Sequence, residues 1–157
     1  DLAVRTSLTV VDMRFNNLDT DSATLLASIA KDKGISLCGI TPDQTHANRQ
    51  GDSGPCDNMK FGIQMGPCDA MLLTADLAVR TSLTVVDMRF NNLDTDSATL
   101  LASIAKDKGI SLCGITPDQT HANRQGDSGP CDNMKFGIQM GPCDAMLLTA
   151  DLAVRTS

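Results

Sequence analysis

Residues 66–93, GPCDAMLLTADLAVRTSLTVVDMRFNNL, combine a helix signal with a strand signal and decide the expected fold. Pro67 suits the first position of a helix, and Asp69 adds a carboxylate to its first turn. The apolar residues that follow recur at helical spacing. From Leu83 onward, β-branched and apolar residues lead into an Asn pair, which predicts a short strand that runs into a turn.

The same sequence recurs at a fixed period. DLAVRTS begins at Asp1, Asp76 and Asp151, and residues 76–150 are identical to residues 1–75. The chain therefore consists of repeat unit 1 (1–75), repeat unit 2 (76–150) and the start of a third (151–157), which we interpret as a window of a longer array. Perfect identity fits recent duplication, deliberate design, or one unit's sequence written into several copies.

A second helix is predicted from DTDSATLLASIAKDKG, residues 19–34. Asp19 or Thr20 can cap its N-terminus, and Gly34 supplies the stop. Lysines in the last turn complement the helix dipole.

The rest of the unit is less regular. ISLCGI (35–40) and MKFGIQM (59–65) are predicted as strands, and the polar run between them is rich in turn formers. GPCDNM (54–59) nearly copies GPCDAM (66–71), which indicates a local partial duplication.

The segment LTVVDMRFNNL (8–18) fits the pattern LxxLxLxxNxL and resembles the leucine-rich repeat family, in its ribonuclease-inhibitor-like subtype. The resemblance implies an α/β solenoid of leucine-rich-repeat-like coils, with parallel strands on the concave side and helices outside. Asn16 and Asn91 would then be buried and would hydrogen-bond turn backbone that has left the strand ladder.

In such a solenoid the outward positions of the strand would form a binding surface. Arg beside an aromatic residue is enriched at interfaces. The alternative is that Phe15 folds into the turn and packs on the helix. The candidate interface residues are Val10, Arg14, Phe15, Val85, Arg89 and Phe90.

Three cysteines per unit allow two interpretations. Cys38 lies in an apolar run and is expected to be a buried free thiol. The cysteines of the two GPCD copies form the candidate disulfides, Cys56 with Cys68 and Cys131 with Cys143, and free thiols are the alternative. The spacing matches no zinc site, and we expect no metal and no cofactor.

No coherent catalytic set is found. GDSGP (51–55) resembles a serine-protease nucleophile segment, but its surroundings do not supply a triad, and a surface turn is the simpler interpretation. DTDSA (19–23) resembles an aspartyl-phosphate motif, yet its carboxylates already suit a helix N-terminus. We therefore expect that the chain is not an enzyme.

Composition limits the partners. A net charge of −6 and a pI of about 4.6 argue against sequence-independent nucleic-acid binding. No apolar stretch reaches the roughly 18 residues of a membrane span. The expected partner is the chain itself, in head-to-tail or lateral assembly, and another protein is the alternative.

Two functions follow from these patterns. The first is a structural tandem-repeat protein that self-associates into a filament or extended scaffold. The second is a leucine-rich-repeat module that binds a protein partner with its concave sheet. Localisation stays open, with an extracellular fibre favoured over a cytoplasmic location.

Overall fold

The computed structural model describes residues 7–47, 65–115 and 141–154. The helices in these ranges are α1 (Thr20–Lys33), α2 (Pro67–Val79), α3 (Thr95–Lys108) and α4 (Pro142–Val154). The strands are β1 (His46–Ala47) and β2 (Val85–Val86).

The ends of the helices follow the local sequence. Asp19 and Asp94 cap α1 and α3, each accepting a hydrogen bond at 2.8 Å from the backbone N–H of the serine three residues later. Gly34 and its equivalent Gly109 end these helices in the left-handed conformation, with φ of 67° and 69°. The predicted starts and stops of the helices are thus confirmed.

The α/β solenoid with a concave layer of parallel strands is wrong. Helices hold 51% of the described residues, and the sheet in those ranges has only two strands. β1 pairs in parallel with β2, with His46 opposite Val85 and Ala47 opposite Val86. β1 itself lies in the run interpreted as a loop, and residues 59–64 of the other predicted strand lie outside the described ranges.

The segment ISLCGI is not a continuous strand because its N–H groups bond to side chains. Leu37 and Cys38 donate their backbone N–H groups to the carboxylate of Asp76, and Ile40 donates to the hydroxyl of Ser36. A strand needs these groups for a ladder of backbone hydrogen bonds. On its other side, the described residues form only two isolated bridges, Ser36 with Val10 and Cys38 with Asp12.

The segment LTVVDMRFNNL is interrupted in a similar way. Val11 and Met13 donate to the carbonyls of Ser36 and Leu37, each at 2.8 Å. The chain then turns at Phe15, whose φ is 61°. Too few extended residues remain for a strand of ordinary length.

The four helices belong to four segments, named here in chain order. Segment 1 is 7–33, segment 2 is 35–47 with 65–79, segment 3 is 83–108, and segment 4 is 110–115 with 141–154. In the described part of the chain, α2 packs against both α1 and α3, and α3 also packs against α4. Aliphatic side chains and small residues from all four helices form one buried core cluster. Within the described ranges, no helix is long and apolar enough to cross a membrane.

Candidate interface between repeat units

Asp76, near the C-terminal end of α2, is a fully buried acceptor that ties two parts of segment 2 together. Its carboxylate accepts from the Ser36 hydroxyl at 2.6 Å and from the N–H groups of Leu37 and Cys38 at 2.7 and 3.1 Å. Three donors satisfy a group that would otherwise be costly to bury. We call this arrangement the aspartate clasp.

Burial raises the pKa of Asp76 above its ordinary value. The hydrogen bonds from Ser36, Leu37 and Cys38 act in the opposite direction because they favour the charged form. Desolvation is the larger of the two influences, so the clasp binds a proton more readily than an exposed aspartate does.

The clasp recurs 75 residues further along the chain with nearly equal distances. Asp151 accepts from the Ser111 hydroxyl at 2.6 Å and from Leu112 and Cys113 at 2.6 and 3.1 Å. The clasp therefore reproduces in segment 4 the contacts that it makes in segment 2.

An Asp–Arg ion pair lies beside each clasp. Arg89 donates from Nε and Nη2 to the two carboxylate oxygens of Asp87 at 2.8 and 2.7 Å. Arg14 and Asp12 form the same bidentate pair, and the Arg14 hydrogen bonds hold the pKa of Asp12 below its ordinary value. The Asp87 side chain is 0% exposed, whereas that of Asp12 is 50% exposed. The ion pair is thus buried in segment 3 and partly exposed to solvent in segment 1.

The first turns of α2 and α4 hold a strained turn in the preceding segment. Phe15 and Phe90 have φ of 61° and 63°, a conformation that costs non-glycine residues roughly 1–2 kcal/mol. Their N–H groups donate to Asp69 Oδ1 and Asp144 Oδ1, each at 2.9 Å. The other oxygen of each aspartate accepts from the glycine that precedes the helix. One carboxylate therefore fixes both the helix start and the turn.

The predicted structural asparagines contact turn backbone. Asn16 donates to the Met13 carbonyl at 3.0 Å, and Asn91 donates to that of Met88 at 3.2 Å. Asn91 also accepts from the N–H of Met65 at 2.8 Å. The expected burial is absent at Asn16, which is exposed, and partial at Asn91.

The candidate binding surface does not face solvent as expected. Val85 and Arg89 are each 1% exposed, and Val85 pairs with β1 of segment 2. Val10, Arg14 and Phe90 are half-buried, and Phe15 is 44% exposed with its ring 5.7 Å from the Arg14 guanidinium carbon. The six residues therefore do not form one accessible face.

Among the cysteines, Cys38 and Cys113 are buried free thiols, which confirms the expectation for Cys38. Burial raises the pKa of both thiols. Cys68 and Cys143 are half-buried in the first turns of α2 and α4. Their proposed disulfide partners, Cys56 and Cys131, lie outside the described residues, so the pairing stays a prediction.

The motifs that resemble catalytic segments have structural roles in the described residues. Asp19 is a helix cap, and His46 lies in β1 with its Nδ1 2.8 Å from the Thr45 hydroxyl oxygen. GDSGP (51–55) falls outside the described residues. In the described ranges, no cluster of His, Cys, Asp or Glu is suited to hold a metal ion.

Sequence reasoning missed the role of Asp76 and that of Arg80. Arg80 donates from Nε to the Ile40 carbonyl and from Nη2 to the Thr9 carbonyl, which joins segment 1 to the end of α2. The available signal was a carboxylate inside the apolar run LLTADLAV, where an unpaired charge is unfavourable.

In comparisons with known proteins, no family model, no curated protein and no solved structure matches this chain. The resemblance to leucine-rich repeats rests on the sequence motif alone. Function is therefore argued from the geometry.

Proposed function

We propose that this chain is a structural tandem-repeat protein that self-associates into a filament or extended scaffold. One observation carries the proposal: α2 lies between α1 and α3, and α3 packs against α4 in the same order as α1 against α2. An arrangement in which each unit adds to the previous one has no built-in limit on its length.

The polar contacts support the same conclusion. The aspartate clasp, the Asp–Arg pair and the aspartate that holds the phenylalanine turn each occur once per unit with nearly equal distances. The described residues of successive units therefore follow one packing pattern. Head-to-tail association that does not close into a ring produces an open fibre.

The alternative, a module that binds another protein through a concave sheet, has less support. It requires an accessible strand surface, and Val85 and Arg89 are buried in unit 2. The described sheet also has only two short strands.

Sedimentation and electron microscopy of the purified chain test the proposal. We expect it to sediment in a concentration-dependent manner and to show fibres of regular width by negative-stain electron microscopy. A discrete monomer at every concentration would contradict the proposal and favour the binding module.

A core variant separates ordered assembly from aggregation. Leu101 is fully buried in α3, so Leu101→Asp should unfold the segment and abolish the regular fibres. If that variant forms the same fibres, they arise from unfolded chains and the proposal fails.

A further inference from the structure

A groove runs over α2 between the helices that flank it, α1 and α3. Its volume is about 310 Å³, and it is lined by Thr24 and Lys31 on the α1 side, Leu100 and Ile104 on the α3 side, and Met71 and Ala75 on the floor. Since α2 packs against a helix on each side, the groove belongs to the interior of the row α1, α2, α3 and α4. We call it the helix groove.

The helix groove is uncharged except at one end. Ala75 on its floor is 4% exposed, and Met71 beside it is half-buried. Among the residues that line the groove, Lys31 is the charged one, and it is exposed in the last turn of α1. The groove therefore fits a helix that has an exposed apolar residue and a carboxylate near the end that meets Lys31.

The helices on either side of the groove present such residues to solvent. Leu25 on α1 is 62% exposed, and its equivalent Leu100 on α3 is 42% exposed although α3 packs against both α2 and α4. Exposed aspartates lie four residues before and seven residues after each leucine, on the same side of the helix. We call these two stripes the crests, defined as Asp21, Leu25 and Asp32 on α1 and Asp96, Leu100 and Asp107 on α3.

The direction of the helices decides how a crest fits the groove. The N–H of Phe15, shortly before α1, donates to Asp69 in the first turn of α2, so these helices begin at the same edge of the row. Lys108 Nζ, at the end of α3, donates to the Ala78 carbonyl at 3.2 Å, so α2 and α3 end at the same edge. Lys31 thus marks the C-terminal end of the groove. A crest that lies antiparallel in the groove places its N-terminal aspartate beside Lys31, and opposed helix dipoles favour the same orientation.

We propose that two copies of this chain pair side by side, with a crest of each copy in the helix groove of the other and their helices antiparallel. Charge complementarity identifies the occupant as a second copy, because the chain supplies both the acidic crest and the basic end of the groove. This inference rests on the proposed self-association and names a lateral surface for it.

The spacing of the helices lets both grooves fill at once. Crests and recessed helices alternate along the row, since α1 and α3 carry crests and α2 carries the groove. When one copy is displaced along the row by one helix, its α1 crest enters the groove of the other copy. The α3 crest of that other copy then enters the groove of the first copy. The pair therefore has two contacts of the same kind, because α1 and α3 have the same sequence.

Two substitutions in the crests test the pairing. Leu25→Glu combined with Leu100→Glu places a carboxylate against the apolar floor of each groove, which is costly. Both leucines are exposed, so circular dichroism should show an unchanged fold. The matched control, Thr20→Glu combined with Thr95→Glu, adds the same charge at exposed positions in the first turns of the same helices, where carboxylates are favoured.

A second pair of variants tests the groove. Lys31→Glu reverses the charge that faces the N-terminal aspartate of a crest and should also prevent pairing. Lys33→Glu makes the same change of charge in the same last turn, at an exposed residue outside the groove lining, and should pair like the unmodified chain. The cost of a carboxylate at the C-terminal end of the helix is similar in the two variants.

The mass per unit length of the fibres, measured by scanning transmission electron microscopy, counts the paired rows. The crest variant and Lys31→Glu should form fibres with half the mass per unit length of the unmodified chain. The two controls should match the unmodified chain. This measurement separates pairing from growth along the row, because single rows still elongate.

Other outcomes decide between the inference and the proposed function. If the crest variant or Lys31→Glu keeps the full mass per unit length, other surfaces join the rows, and the inference fails while the proposed function survives. If a folded crest variant forms no fibres, the crests serve growth along the row and the inference fails. If the unmodified chain forms only a dimer of twice 16.6 kDa that both variants convert to monomer, the pairing stands and the filament does not. If the unmodified chain stays monomeric, the inference and the proposed function both fail.

Discussion

At the scale of single residues, the most informative group is a carboxylate inside a helix that is otherwise apolar. Asp76 is 0% exposed, and its partners lie 38–40 residues earlier in the chain. Its helix propensity is poor, so its presence is explained by the donors that it satisfies. A structural hydrogen-bond acceptor therefore occupies a place where the apolar pattern calls for a hydrophobic residue.

Asp76→Ala should lower the free energy of unfolding by about 3 kcal/mol or more, because each buried donor that loses its partner costs about 1–3 kcal/mol. Urea unfolding followed by circular dichroism measures the change. Asp32→Ala, at an exposed position on α1, is the control and should shift stability by less than about 0.5 kcal/mol. Equal effects at the two positions would mean that the clasp contributes nothing.

The pH dependence should have opposite signs at Asp76 and Asp12. The raised pKa of Asp76 means that binding of its proton adds stability, in full below the ordinary aspartate value of about 3.9, and that this proton-linked part is lost as pH rises through its folded pKa. The hydrogen bonds of the clasp contribute separately from this part. The lowered pKa of Asp12 means that its contribution is present above that value and is lost as pH falls through its folded pKa.

Carboxyl carbon shifts in an NMR titration of the folded protein measure both groups. Asp76 should titrate above the ordinary value and Asp12 below it, with the spectra of Asp76→Asn and Asp12→Asn providing the assignments. The reverse order would contradict the burial assigned to the clasp.

At the scale of elements, the helices form because their signals are local. A capping aspartate, an apolar stripe and a left-handed glycine all lie within one stretch of sequence. The same stretch produces the same helix in both units although the surroundings of α1 and α3 differ. Local sequence therefore determines where α1 and α3 begin and end.

The helix stop at Gly34 gives a direct test of this local control. Its φ is 67°, and an added Cβ would meet nothing within 4 Å, so only backbone strain opposes substitution. Gly34→Ala should destabilise the protein by about 1 kcal/mol, and Gly34→Asn by less, because Asn tolerates the left-handed region. Thermal unfolding compares the two variants, and an Ala variant as stable as the Asn variant would refute the argument.

Strands were harder to predict than helices because their fate depends on distant residues. The apolar run ISLCGI indicates a strand, but the carboxylate of Asp76 accepts hydrogen bonds from two of its N–H groups. The sequence of residues 35–40 does not indicate that Asp76 accepts these hydrogen bonds. The short strand at His46–Ala47 pairs with Val85 and Val86 of the next unit. Its own sequence is polar and rich in turn formers, and therefore indicates a loop.

The candidate interface was predictable only in part. Exact repetition indicates that units add to each other, and this can be seen from residues 1–75 and 76–150 alone. Which side chains face a neighbouring unit depends on how α2 and α3 pack, and the helical stripes contain more apolar residues than any one contact buries. The exposed fractions of Leu77 and Leu152 resolve the ambiguity, because they are 0% and 63% although the two helices have the same sequence. The difference comes from the segment that packs on α2.

At the scale of the whole molecule, every 75-residue period adds two helices to the row α1, α2, α3 and α4, and α2 and α4 each cross a unit boundary. The contacts of α1 with α2 and of α3 with α4 alternate with the contact of α2 with α3. An array that continues this row would alternate the same two contacts throughout. Its period is therefore set by helix packing.

The axial spacing of a fibre follows from that alternation. Packed helices lie about 8–10 Å apart, so two helices per unit give an axial repeat of about 16–20 Å. If chains join as their own units do, the junction between chains is equivalent to the junction within a chain. The 75-residue unit, rather than the 157-residue chain, should then set the strongest period. Power spectra of fibre images should show a layer line at about 16–20 Å. A dominant spacing of about 32–40 Å, one whole chain, would mean that chains meet through a different contact.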